Sequence, residues 1–176
     1  MLQTRRLTIL LQTLDEVRAM IDALEPSAKA EVSADWLRKL HAATSPDPWI
    51  HGFALVHRER DIVIGQCGFK GSPTPDGVVE IAYGISPAHQ GNGYATEAAN
   101  ALVAYAFGSG LVRLVLAHTL PEPNASTRVL AKCGFRNVGE VVDPDDGVVW
   151  RWEKLNEASD DVPTGVEATV LSGPTP

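Results

Sequence analysis

The sequence predicts a mixed α/β fold of the α+β kind, with hairpin-linked strands in its first half and strand–helix alternation in its second. Three observations carry that reading. "HGFALVHRERDIVIGQCGF" holds two apolar runs on either side of a charged turn at Arg58 to Asp61, the signature of a hairpin. "VVEIAYGIS" alternates between two faces and is followed by a helical pattern and then by another strand-like run, "VRLVLAHTL". With 176 residues, 44% of them hydrophobic, the chain suits one domain with a substantial core and is short for two.

In chain order, "RRLTILLQTL" is rich in strand-forming residues, and "TLDEVRAMIDALEP" then offers Thr13 as a helix cap, acids in the first turn and Pro26 as a stop. Ser33 is placed to cap a second helix through "ADWLRKLHAA", where Trp36, Leu37 and Leu40 recur at helical spacing, and "SPDP" ends it. The hairpin follows, and "KGSPTPDG" reads as a plain loop. On the next strand Val79, Ile81, Tyr83 and Ile85 share one face, while Glu80, Ala82 and Gly84 share the other, so one face is core and the other is unusually small. Tyr94 to Phe107 is a helix closed by "GSG", with Ala98, Leu102 and Tyr105 on one stripe. After "VRLVLAHTL" comes a short helix, "NASTRVLAKCG", with Asn124 as N-cap and Gly134 as the C-terminal glycine. Two strands, "RNVGEVV" and "GVVWRWEKL", complete a domain at 1–155, and the acid-, Gly- and Pro-rich stretch 156–176 reads as a mobile tail.

Charge and cysteine usage exclude several functions. A net charge of −7 argues against nonspecific nucleic-acid binding and leaves cationic substrates open. Cys67 and Cys133 stand far apart without metal-ligand spacing, so neither a disulfide framework nor a zinc site is encoded, no metal is expected and a cytoplasmic setting is the default. No apolar run approaches the roughly 20 residues of a spanning helix, and no membrane partner is expected.

The most informative stretch is "HQGNGYATEA", which puts bare backbone at the start of the main helix. Such a turn offers unpaired N–H groups at the positive end of a helix dipole, suited to a phosphate or pyrophosphate. The spacing is neither that of a P-loop nor that of a dinucleotide fingerprint. Gln90-Gly91-Asn92-Gly93-Tyr94-Ala95 does resemble the acetyl-CoA pyrophosphate loop of the GNAT superfamily, the general amine N-acetyltransferases. Its setting after "EIAYGIS" and before "AHTLPEPNASTRVLAKCGFRNVGE", together with "LQTRRLTI", is similar to the Rim-type branch, which acetylates ribosomal proteins. The resemblance spans roughly Leu2 to Leu155.

It implies a mostly antiparallel mixed sheet of about seven strands, flanked by about four helices, whose fourth and fifth strands splay apart to admit pantetheine as an extra strand. The small face at Ala82 and Gly84 fits that close approach. It further implies acetyl-CoA as cosubstrate, held by Ile85, Gln90, Gly91, Asn92, Gly93, Tyr94, Ala95 and Thr96, and an amine acceptor, either a small molecule or a protein N-terminus. A primary amine is mostly protonated at neutral pH, so a base is useful. Glu80 is read either as that base, acting through water, or as a solvent-facing carboxylate of the sheet. Many family members place a tyrosine on the helix after the fifth strand to protonate departing CoA. None stands here, and Ser126 matches the serine of the Rim-type branch or is simply a first-turn residue. The usual asparagine of that motif falls on Pro123, with Asn124 one place later, which leaves open which of Asn124 and Ser126 touches the pantetheine arm. His118, near a strand end, either relays protons or contacts substrate, or is merely half buried; Trp36, Trp49 and the Trp150 region are substrate candidates by position only. Cys133 at a helix C-terminus and Cys67 in a strand are poor nucleophiles, so direct transfer in a ternary complex is expected. The second function class is a non-catalytic acyl-CoA-binding or sensing module; a homodimer is left open.

Overall fold

In the computed structural model, residues 1–157 are described except 31 and 145, so the expected tail lies outside the described residues from 158 onward. The chain runs β1 (Leu2–Gln3), β2 (Leu7–Leu11), α1 (Leu14–Asp22), α2 (Pro26–Ala30), α3 (Ala34–Ala42), β3 (Phe53–His57), β4 (Ile62–Phe69) and β5 (Val78–Ile85). A single 3-10 turn (Pro87–His89) then leads to α4 (Tyr94–Gly108), β6 (Leu114–Thr119), α5 (Ala125–Lys132), β7 (Arg136–Asp143) and β8 (Gly147–Leu155). The strands form one open sheet in the order β1-β2-β3-β4-β5-β6-β8-β7. The seven expected strands are all present, and the two-residue β1 adds an eighth at the edge. Because β1 comes first, the splaying pair is β5 and β6.

All neighbours are antiparallel except β5 and β6, which run parallel and are connected through α4. Their pairing is short. It covers Val78↔Leu114, Val79↔Val115 and Glu80↔Leu116 and then stops, while β5 continues along β4 to Ile85 and β6 along β8 to Thr119. The sheet therefore opens beyond Glu80, which is the expected splay.

The core lies between the sheet and α4. Ala98, Ala99, Leu102 and Ala106 are fully buried, and Val79 and Ile81 of β5 and Val115 of β6 meet them in one cluster. Small residues on α4 bring the helix close to the strands, which fixes where its N-terminus sits over the gap. Trp49, Phe69 and Tyr105 form an aromatic group on the same core, with Trp49 4.5 Å from Phe69 and 5.5 Å from Tyr105, at tilted angles that suit ring quadrupoles.

Two readings of the N-terminal helices need correction. Pro26 does not stop α1, whose C-cap is Ala23, but opens α2, where a proline's missing N–H costs nothing. Ser33 takes the N-cap position of α3 without a side-chain cap bond, whereas Thr13 makes the full capping box with Glu16 that its sequence suggests. The hairpin turn falls where its charges place it, with Asp61 in the left-handed region at φ 51°.

Candidate functional site

The loop entering α4 is built from glycines in conformations other residues resist. Gly91 and Gly93 have φ of 78° and 81°, and Gly93 is the N-cap of α4 without a side-chain cap bond. The first bond into the helix runs from Glu97 N–H to Gly93 O, so the N–H groups of Tyr94, Ala95 and Thr96 have no intrahelical partner. The polar side chains of the loop stay within it. Gln90 donates to Ile85 O at 2.8 Å, and Asn92 donates to His89 O and Gln90 O. The backbone N–H groups, rather than Gln90 or Asn92 side chains, are thus what the loop offers a ligand, and a Cβ built on Gly91 would meet no atom within 4 Å.

A second set of residues, unmarked in the local sequence, fastens this loop to the N-terminal strands. Glu97 accepts from the Arg6 backbone N–H at 2.7 Å, from Arg6 Nε at 2.9 Å and from the Thr4 hydroxyl. The Arg6 guanidinium also donates to Asn92 O at 2.9 Å and lies 4.5 Å from the centroid of the Tyr94 ring. These hydrogen bonds outweigh the effect of burial and hold the Glu97 carboxyl below its ordinary range.

Two neighbouring spaces share lining residues around Glu80. A cavity of about 970 Å³ lies over β4 and β5 and reaches Trp36, His51 and Asp146. A smaller one of about 130 Å³ lies between β5 and β6 and is lined by Glu80, Tyr83, His118 and Ser126. Lys70 and Glu80 line both.

At their junction Glu80 Oε1 stands 2.8 Å from Lys70 Nζ and 3.1 Å from His118 Nδ1. Lys70 also donates to Asp146 Oδ2 at 3.2 Å, and His118 Nδ1 is 3.7 Å from Asp143 Oδ2. Glu80 Oε1 and both His118 nitrogens are buried without an aligned hydrogen bond, so these contacts are open to rearrangement. Burial pulls the Lys70 ammonium pKa down, but the Glu80 and Asp146 carboxylates outweigh it and raise it above its ordinary value. Glu80, His118 and Asp143 offer three ligand atoms within 4.8 Å of one another, which a divalent ion could bridge, but the Lys70 ammonium already supplies a cation there.

The structure thus brings Glu80, His118 and Ser126 to one small cavity and Trp36 to the larger one, where its indole N–H donates to Ile50 O at 2.7 Å. Trp49 belongs to the aromatic core and lines neither cavity. Asn124 is committed as a helix cap: its Oδ1 accepts from the Thr127 N–H at 3.0 Å and its N–H donates to Thr127 Oγ1. Tyr83, read from sequence as a core-face residue, lines both cavities, and its hydroxyl lies 3.5 Å from Ser126 O. Burial, with Cys133 nearby, pushes its pKa well above the ordinary value. A phenol from β5 therefore stands near the first turn of α5, which itself carries no tyrosine. Lys70, Asp143 and Asp146 were also hidden from sequence reasoning, since each falls in or beside a stretch that reads as a turn.

An open sheet parted beside an uncapped, glycine-built helix start, with a carboxylate at the fork, defines an acetyltransferase fold. The chain belongs to the GNAT acetyltransferase family: the family description "Acetyltransferase (GNAT) domain" matches residues 7–136, as the loop motif implied. It is 34% identical over 87 residues to the uncharacterized N-acetyltransferase p20 of Bacillus licheniformis, covering 49% of each chain, so it spans about half the length of that curated relative. Among solved structures it is similar to the aminoglycoside acetyltransferase AAC(6')-Ib in complex with coenzyme A, with a TM-score of 0.65, 20% identity and coverage of 86% and 96%. It is also similar to a spermidine N-acetyltransferase SpeG chimera from Vibrio cholerae and hSSAT, with a TM-score of 0.62, 18% identity and coverage of 85% and 95%. At such identities the two structures show a shared fold. Among the described residues, no helix is long and apolar enough to cross a membrane.

Proposed function

We propose that residues 1–155 form one catalytic domain that transfers the acetyl group of acetyl-CoA directly to a primary amine. The observation that carries this is the arrangement around the fork: unpaired N–H groups at Tyr94 to Thr96, a strand gap that begins after Glu80, and a carboxylate at that point. In this reading Gly91 to Thr96 hold the pyrophosphate, and the edge of β5 that parts from β6 beyond Glu80 takes the pantetheine arm. Acetyl-CoA supplies the activated acetyl thioester. Glu80 takes the proton of the acceptor ammonium, with His118, 3.1 Å away, as the next group along the path. Ser126 faces the departing sulfur, and Asn124 sets the start of α5. The acidic cleft of Glu80, Asp143 and Asp146 favours a cationic acceptor, and both solved neighbours carry names of polycationic amine substrates. A protein N-terminus has the same ammonium and falls within the same class.

The test is calorimetric titration with acetyl-CoA beside a Gly93→Val variant, followed by an amine panel read as free thiol. Micromolar binding, about −8 kcal/mol, that the variant loses supports the donor assignment, because a β-branched residue at φ 81° cannot keep the loop. Glu80→Gln should then lower turnover about 10²-fold and change its pH profile. Binding without transfer to any amine would leave a CoA-sensing module instead, and no binding by a folded protein would end the proposal.

A further inference from the structure

The amine nearest to the fork belongs to the protein itself. Lys70 follows directly on β4, where its N–H pairs with Glu80 O at 2.9 Å, so the backbone pins its side chain beside Glu80. Its Nζ lies 2.8 Å from Glu80 Oε1, closer than His118 Nδ1 at 3.1 Å, and its side chain lines the small cavity together with Ser126 and His118. Among the described residues, no other lysine lines either cavity. The two carboxylates that hold the ammonium, Glu80 and Asp146, are the groups that would otherwise meet an incoming acceptor.

We propose that Lys70 is an internal acetyl acceptor, so that the protein acetylates its own Lys70 side chain when acetyl-CoA is bound and no better amine displaces it. The inference rests on the acetyltransferase reading above. The Lys70 ammonium gives one proton to Glu80, from which it passes to solvent. The freed Nζ lone pair forms a C–N bond to the thioester carbonyl carbon as the C–S bond breaks, and a second nitrogen proton ends on the departing sulfur. The products are N-acetyl-Lys70, coenzyme A as its thiol and one released proton. The two carboxylate contacts that place the amine also hold it as an ammonium, so the reaction is slow beside turnover of a true substrate and accelerates as pH rises. The titratable groups facing Lys70 are Glu80 and Asp146, with His118 and Asp143 behind Glu80. Acetylation removes the cation and both its ion pairs, leaving Glu80, Asp143 and Asp146 to face an acceptor without an internal competitor.

The experiment compares two acylating reagents on the full chain. Trace labelling with acetic anhydride, which needs no binding site, should modify Lys70 more slowly than the surface residues Lys29 and Lys132, because two carboxylates hold its ammonium. Incubation with acetyl-CoA and no added amine should reverse that order, with site-resolved mass spectrometry finding the acetyl group first on Lys70. Glu80→Gln should slow the Lys70 reaction about 10²-fold, and Lys70→Arg, which keeps a cation between the same carboxylates, should reduce total incorporation to the surface background. If calorimetry shows acetyl-CoA bound while Lys70 is labelled no faster than Lys29 and Lys132, the inference is overturned and the acetyltransferase reading survives. If acetyl-CoA does not bind at all, both fall.

Discussion

Replacing Glu97 by glutamine tests whether the glycine loop entering α4 is held from outside rather than by its own residues. Glu97 is 16% exposed at its side chain and receives three donors, two from Arg6 and one from Thr4. Hydrogen bonds to a charged group contribute about 1.5–3 kcal/mol each where both partners are buried. The Arg6 side chain is 38% exposed, so its ion-pair contact deserves a surface value of about 0.5–1 kcal/mol, and glutamine still accepts one bond. The expected net loss is about 2 kcal/mol in urea unfolding, or a fall in Tm of about 4–8 °C. The sign with pH is set by the lowered carboxyl pKa of Glu97. Its stabilisation is complete above the ordinary carboxylate value and disappears as pH falls through the lower folded value, so wild type and variant should converge in acid. Because Arg6 also donates to Asn92 O, coenzyme A affinity should fall together with stability, by about tenfold. A loss below about 0.5 kcal/mol with unchanged coenzyme A affinity would refute the view that the N-terminal strands brace the loop.

Further outcomes follow from individual positions. Burial pushes the Cys67 thiol up to about 12 and also raises Cys133, against a smaller opposing effect of Lys154, so neither should react with a thiol-specific reagent at pH 8 until the protein unfolds. Fast native labelling of either would reopen a covalent acetyl-cysteine route. Gly65→Ala would place a Cβ 2.2 Å from Gly84 O on the neighbouring strand, so it should cost about 1–3 kcal/mol and weaken acetyl-CoA binding through β5; a neutral alanine variant would show that β5 shifts freely.

How much was legible in the sequence varied along the chain with how local the determining physics is. The unit from Val78 to Gly108 could be read closely, because strand alternation, the glycines at 91 and 93 and the small stripe of α4 each act within a few residues. Asn124 and Gly134 likewise punctuate α5 through their own backbone geometry. Pro26 was misread because a proline that ends one helix and one that starts the next have the same neighbours in sequence. Ser33 was misread in part because side-chain capping depends on a rotamer, not on residue type. The junction of Lys70, Asp146 and His118 with Glu80 had no local signal. It arises because the end of β4, β6 and the turn before β8 converge on Glu80, where β5 and β6 part, a fact of sheet order alone. Trp49 illustrates the opposite failure: an aromatic residue near a predicted cleft went to the core, where most of its surface could be buried.

The shortness of the β5–β6 ladder has a mechanical consequence. The sheet resembles a book with β1 to β5 as one cover and β6 to β8 as the other, bound along a spine only three residue pairs long. Opening and closing such covers displaces their far edges most and the spine least. Glu80 is the last bound residue of that spine on β5. Ile85 and Thr119, paired with β4 and β8 but not with each other, would part further under such a motion than Glu80. If the proposed transfer holds, the part of the sheet that yields is separate from the part that keeps its place at Glu80.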